Sequence, residues 1–144
     1  MTTYALVEEI LGGKKVLGRS ISSRLDFVEL GGAGITKDAA AHLARYLSLS
    51  LAGMARLLPV TPRTLQRYAA RKRLSLAVSE SVLQLAEVVA TGADVFGDRD
   101  DFLVWLSLPS AALGDRKPMD LLSSRFGAEI VMDELGRIAH GIPA

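Results

Sequence analysis

Cysteine is absent from the 144-residue chain. Its absence excludes disulfides and thiolate metal sites, and it points to a cytoplasmic setting. Histidine occurs only as His42 and His140, without the His-Glu-x-x-His spacing of a zinc-protease helix. No Gly-x-Ser-x-Gly elbow is present. No catalytic residue, metal, cofactor or small-molecule substrate is therefore expected. No apolar run approaches the ~18 residues that a membrane span needs, so no membrane partner is expected either. The N-terminus carries Glu8 and Glu9 where a secretion signal needs bases. Gly12-Gly13-Lys14-Lys15 lacks the Gly-x-x-x-x-Gly-Lys-Ser/Thr frame of a phosphate loop and reads as a turn with solvated lysines. The most informative absence is of acid: none occurs between Arg45 and Glu80.

Hydrophobic residues make up 49% of the chain, and the mean hydropathy is +0.27. Much of that surface must be covered by a core or by partners. The net charge of +1 conceals an uneven spread. Residues 36–73 hold eight bases and one acid, a local +7, whereas residues 94–144 hold five bases and nine acids, a local −4. A basic middle and an acidic end indicate two surfaces with different partners.

Residues 1–24 form an N-terminal extension with a short helix from Ala5 to Leu11, broken at Gly12-Gly13, and room for a strand near Val16 or Ile21. Gly31-Gly32-Ala33-Gly34 reads as a connector. Thr36 is placed to cap a helix to about Leu47, with Ala39, Leu43 and Leu47 on its inner side. Ser50 caps the next helix, in which Met54, Ala55, Leu57 and Leu58 are apolar and Pro59 stops the run. Thr61 caps a third, with Pro62 at its first position. On that third helix Leu65, Tyr68, Ala69 and the stem of Lys72 give a core face, and Arg63, Gln66, Arg67, Ala70 and Arg71 lie opposite.

Two helices joined by a short turn, the second bearing basic and amide side chains outward, read as a helix-turn-helix. Arginine reaches paired acceptors on guanine, and glutamine does so on adenine. The DNA-binding set is Thr61, Arg63, Thr64, Gln66, Arg67, Arg71, Lys72 and Arg73, with Thr61, Lys72 and Arg73 suited to phosphates. A row of arginines four apart repels itself on an isolated helix, so operator DNA is the economical partner. A single motif reads a short half-site, hence a homodimer is expected.

Further on, Ser79 is placed to cap a longer helix, with Val78 and Leu83 as a hydrophobic staple, Val82, Leu85, Ala86 and Val89 inside, and Gly92 at its end. Asp98 caps another, with Phe102, Trp105 and Leu106 apolar and Pro109 after it; Trp105 reads as a core anchor between the two halves. Pro118 opens a short helix, followed by Asp120 at its positive end. Gly127 begins the last run, whose stripe is Val131, Leu135, Ile138 and Ile142. Arg137 follows Asp133 at i+4, Glu129, Asp133 and Glu134 read as a solvated acidic face, and Leu135 reads as core. His140, Gly141 and Pro143 end the helix.

The run "ALGDRKPMDLL" followed by "FGAEIVMDELGRIAHG" resembles the C-terminal toxin-binding domain of the Xre/MbcA/ParS antitoxins. The family pattern is close to A-L-G-G-R-T-P-x-x-L-L, a gap, then L-G-R-I-x-x-G. Ala112, Leu113, Gly114, Arg116, Pro118, Leu121, Leu122, Leu135, Gly136, Arg137, Ile138 and Gly141 match it, while Asp115 and Lys117 stand in place of Gly and Thr. The likeness extends back through the helix-turn-helix to about Leu25.

The expected fold is all-α: an extension over 1–24, an Xre-like helix-turn-helix domain over 25–92 and a small helical toxin-binding domain over 93–144. The resemblance implies an antitoxin that neutralises a cognate RES-domain toxin, an NAD-consuming enzyme, by binding over or into its active site. It also implies repression of the shared operon. The toxin-binding set is Glu134, Arg137, Ile138, His140, Gly141, Ile142, Pro143 and Ala144, a short helix end with a tail suited to filling a concave pocket. The rival is a DNA-binding regulator whose C-terminal domain serves only dimerisation.

Overall fold

The structure, a computed structural model, describes residues 2–141. Among them all regular structure is helical, apart from two isolated antiparallel bridges, Thr36 with Arg73 and Ser110 with Arg116. The chain divides into two compact units, Met1–Glu87 and Val88–Ala144.

The first unit opens with α1 (Thr3–Ile10), capped by Thr2, whose hydroxyl accepts from Ala5 N at 3.1 Å. Near Val16, where the sequence leaves room for a strand, the chain forms α2 (Lys14–Leu17) instead. The following loop is tied down: Ile21 N donates to the Glu8 carboxylate at 2.8 Å, and Arg19 pairs with Asp26 and Glu29. Asp26 accepts from the Ser22 and Ser23 amides at 2.8 and 3.1 Å, which holds its carboxyl below the usual carboxylate range.

Gly31 and Gly32, expected in a connector, lie inside α3 (Arg24–Ala33). A Cβ on Gly31 would stand 3.5 Å from Glu80 Cγ and 3.9 Å from Leu83 Cδ1, ordinary contact distances, so α3 packs beside the helix carrying those residues without needing glycine there. Thr36 and Ser50 cap α4 (Lys37–Tyr46) and α5 (Leu51–Ala55) as their sequence signals predict, with Ala39 N and Gly53 N donating to their hydroxyls. Thr61 caps α6 (Pro62–Arg67).

The long helix α7 (Leu76–Phe96) differs from expectation at both ends. Ser79 is an interior residue, fully buried, and its hydroxyl accepts from Ile35 N at 2.9 Å and donates to Leu74 O at 3.2 Å. Gly92 does not end the helix; it is buried within it. A Cβ there would fall 2.1 Å from Cε1 of Phe102, so only glycine admits the ring. With 21 residues uninterrupted, α7 has the length and apolarity of a membrane span, yet 61% of its apolar window is buried inside the fold, as in a core helix.

Val7, Leu11, Leu43, Met54, Leu65 and Val82 are 0% exposed and form the first unit's core. Each such side chain contributes ~1.5–3 kcal/mol on leaving water. In the second unit α8 (Arg99–Ser107) is capped by Asp98, as predicted, and Phe102 and Leu106 are fully buried. Half-buried Trp105 lies against Phe96 and Phe102, with ring centroids 5.6 and 6.2 Å away. A 3-10 turn (Ala111–Leu113) leads to α9 (Pro118–Leu121) and α10 (Arg125–Ala139). Ser124, rather than a start at Gly127, caps α10; a Cβ on Gly127 would stand 1.8 Å from Leu121 O, so that glycine is a close approach of α10 to α9.

Candidate functional site

The first surface is built on α6. Leu65 is its buried anchor, and Thr61 sets its start: the Thr61 hydroxyl accepts from Thr64 N at 3.1 Å and donates to Thr64 Oγ1 at 2.8 Å. Arg63, Gln66 and Arg67 stand exposed on the helix.

The helix is shorter than its pattern predicts. It stops at Arg67, Tyr68 is extended with ψ 144°, and Ala69 is exposed rather than part of a core face. The cause is tertiary. The Lys37 ammonium donates to Gln66 O at 3.1 Å and Tyr68 O at 2.6 Å, taking up carbonyls that a continued helix would need. Lys37 N and Asp38 N then donate to Lys72 O and Ala70 O at 2.9 and 2.8 Å, and Leu74 N donates to Ile35 O at 2.8 Å. Arg71, Lys72 and Arg73 therefore come from a turn clamped along the start of α4, not from the helix face. Lys72 Nζ lies 5.5 Å above the Tyr68 ring, and Arg73 Nη1 donates to Gly34 O at 3.0 Å.

Charge pairing sets this surface apart. Arg19, Arg24, Lys37 and Arg73 each have a carboxylate or carbonyl partner. Arg63, Arg67 and Arg71 have no hydrogen-bond or ion-pair partner among the described residues. Arg56, at the C-cap of α5, is likewise exposed and unpaired; it was not singled out from the sequence, although it sits in the acid-free run.

The second surface is on α10. Val131 and Leu135 are fully buried, as the stripe predicts, but Ile138 is 37% exposed. Glu134 is buried rather than solvated, and Arg137 binds it at 2.7 Å instead of pairing with Asp133. His140 and Gly141, which has φ +66°, are exposed at the helix end. Ile142, Pro143 and Ala144 lie outside the described residues. Sequence reasoning missed Phe126 and Ile130, 76% and 46% exposed and four residues apart on the same helix. Among the described residues no group of three or more acidic or histidine side chains could hold a metal.

Comparison with known proteins decides what these surfaces belong to. Residues 26–87 match the antitoxin Xre-like helix-turn-helix domain, and residues 91–141 match the antitoxin Xre/MbcA/ParS C-terminal toxin-binding domain. An antitoxin Xre of Yersinia enterocolitica is 30% identical over 111 residues, 76% of this chain and 75% of that protein. The chain belongs to the Xre antitoxin family. A second antitoxin Xre, from Photorhabdus laumondii subsp. laumondii, is 31% identical over 78 residues, 54% of this chain and 53% of that protein. The crystal structure of the M. tuberculosis MbcT–MbcA toxin–antitoxin complex contains a chain of similar fold, with a TM-score of 0.55 and 20% identity over 75% of this chain and 96% of that one.

The structure explains what the two departures from the Xre pattern do. Asp115, in place of Gly, has φ +62°, the left-handed region that glycine enters freely. Lys117, in place of Thr, is the N-cap of α9, which has no side-chain cap.

Proposed function

We propose that this protein is a non-enzymatic, cytoplasmic antitoxin that neutralises a cognate RES-domain, NAD-consuming toxin and represses its own operon as a homodimer. The observation that carries the neutralising role is the outer side of α10. Phe126 and Ile130, four residues apart, stay in contact with water on a helix anchored by buried Val131 and Leu135, and Ile138, on the buried stripe itself, is exposed near the helix end. Apolar side chains left exposed on one anchored helix mark a surface that a partner covers. The end of α10 and the tail, Ile138 to Ala144, supply the part that enters the toxin's pocket, where bound side chains exclude substrate. The operator role is carried by the unpaired Arg63, Gln66 and Arg67 of α6.

Co-expression tests the first role. Deleting Ile138 to Ala144 leaves Val131, Leu135 and the Glu134–Arg137 pair in place, so the helical circular dichroism signal is expected to persist while toxicity returns. A truncated protein that stays folded and still silences the toxin refutes insertion of the tail. Gel shifts on the upstream DNA test the second role. Arg67→Ala is expected to weaken binding by ~1–3 kcal/mol if the side chain reads a base. Unchanged shifts after losing Arg63 and Arg67 together reject it.

A further inference from the structure

The Gly-Gly-Lys-Lys segment is more than a solvated turn. Gly12 and Gly13, with φ +103° and +84°, turn the chain into α2, which packs on α4. This brings Lys15, Val16, Leu17 and Gly18 to one side of an open cleft of about 490 Å³ that is also lined by Thr36, Asp38, Arg71 and Arg73. Both parts of the lining are fixed through α4: α2 by its packing, and residues 70–74 by the backbone clamp at Ile35, Lys37 and Asp38.

The cleft carries three bases against one acid. Lys15 and Arg71 are exposed and have no hydrogen-bond or ion-pair partner among the described residues. Asp38 sits in the first turn of α4, with His42 Nδ1 3.6 Å from its carboxylate. Arg71 is four residues beyond Arg67, so the cleft's charge continues that of α6 along a stretch of chain without acids. Unpaired bases both in the cleft and on α6, on neighbouring stretches of chain, suit a ligand with repeated negative charges better than a single small anion.

We propose that this cleft holds the sugar–phosphate backbone of the operator duplex beside the bases read by α6, making residues 15–18 part of the DNA interface. The inference rests on the DNA-binding reading of α6 and adds a second contact of a different kind. Phosphate contacts fix register and carry no sequence information, whereas α6 supplies the preference for the operator.

Fluorescence anisotropy with the full chain, on the upstream duplex and on an unrelated duplex across a salt series, tests it. Lys15→Ala and Arg71→Ala are each expected to lower affinity a few-fold by the same factor on both duplexes. Each is also expected to flatten the dependence of log affinity on log salt by about 0.9. Lys15→Glu lowers affinity further. Arg67→Ala instead reduces the preference for the upstream duplex. Lys14 is exposed but does not line the cleft, so Lys14→Ala is expected to change less than Lys15→Ala. Wild-type affinity and slope in both Lys15 variants, while Arg67→Ala fails, overturn the cleft and leave the α6 reading standing. Equal losses at Lys14 and Lys15 also overturn it, because they reflect net charge alone. A wild-type protein that binds neither duplex removes the α6 reading, and this inference with it.

Discussion

Arg137 brings Nε and Nη2 to 2.9 and 2.7 Å from one oxygen, Oε2 of Glu134, one turn earlier on α10. The Glu134 side chain is 7% exposed and that of Arg137 is 43% exposed. Arg137 is therefore the cover of a buried carboxylate as well as a residue near the proposed partner surface. Arg137→Ala is expected to destabilise the protein by roughly 2 kcal/mol, a value reduced from a fully buried pair because solvent screens the guanidinium. Glu134→Gln with Arg137→Ala should recover part of that loss, read as urea midpoints of the four proteins of the cycle.

Lys117→Thr restores a hydroxyl at the uncapped start of α9 and is expected to stabilise the protein by about 1 kcal/mol. Asp115→Gly relieves a left-handed non-glycine residue and is expected to add a similar amount, roughly 1 kcal/mol. Both are measured as a rise in melting temperature. A fall on Lys117→Thr would mean that Lys117 makes a compensating contact.

Asp26 governs the acid side of the stability profile. Its carboxyl lies below its ordinary value because the Ser22 amide, then the Ser23 amide, the Ser22 hydroxyl and Arg19 favour the charged form against the opposing effect of burial. A folded value below the unfolded one means that its contribution is complete above about pH 4 and is lost as pH falls through the folded value. Asp26→Asn is expected to lower the melting temperature at neutral pH, and its gap from wild type should close below about pH 4. A gap that stays constant down to pH 3 rules out the ionised carboxylate as the source.

Lys37 ends α6 by donating its ammonium hydrogens to Gln66 O and Tyr68 O. Lys37→Met keeps the stem and removes the ammonium, with an expected loss of about 1 kcal/mol. Hydrogen exchange should speed up first at residues 66–72, the backbone nearest the lost donor.

Local signals were legible and tertiary ones were not. Thr36, Ser50, Thr61 and Asp98 were readable as caps because a hydroxyl or carboxylate before an apolar period acts within three residues of itself. Ser79 carries the same signal but bonds Ile35, 44 residues away in sequence. Gly92 read as a helix end and Gly127 as a helix start, and each is instead a place where a neighbouring atom occupies the space of a side chain. The end of α6 depended on Lys37, 29 residues before Gln66, which no window on the helix contains. Of the candidate surfaces, the bases of α6 were legible from spacing and missing acid. Exposed Phe126 and Ile130 were not, because an apolar residue on a periodic helix reads as core until its neighbours are placed.

The contact of Gly92 with Phe102 has an evolutionary consequence. Every missense change in a glycine codon, from any single base, introduces a Cβ, and at position 92 that atom meets the Phe102 ring whatever lies beyond it. Shrinking Phe102 first opens a void where a fully buried ring stood. Each first step is harmful alone, so a lineage leaves this pair only by crossing a fitness valley. The two positions are inherited as one character, and a library that randomises them together should recover combinations that no stepwise walk reaches.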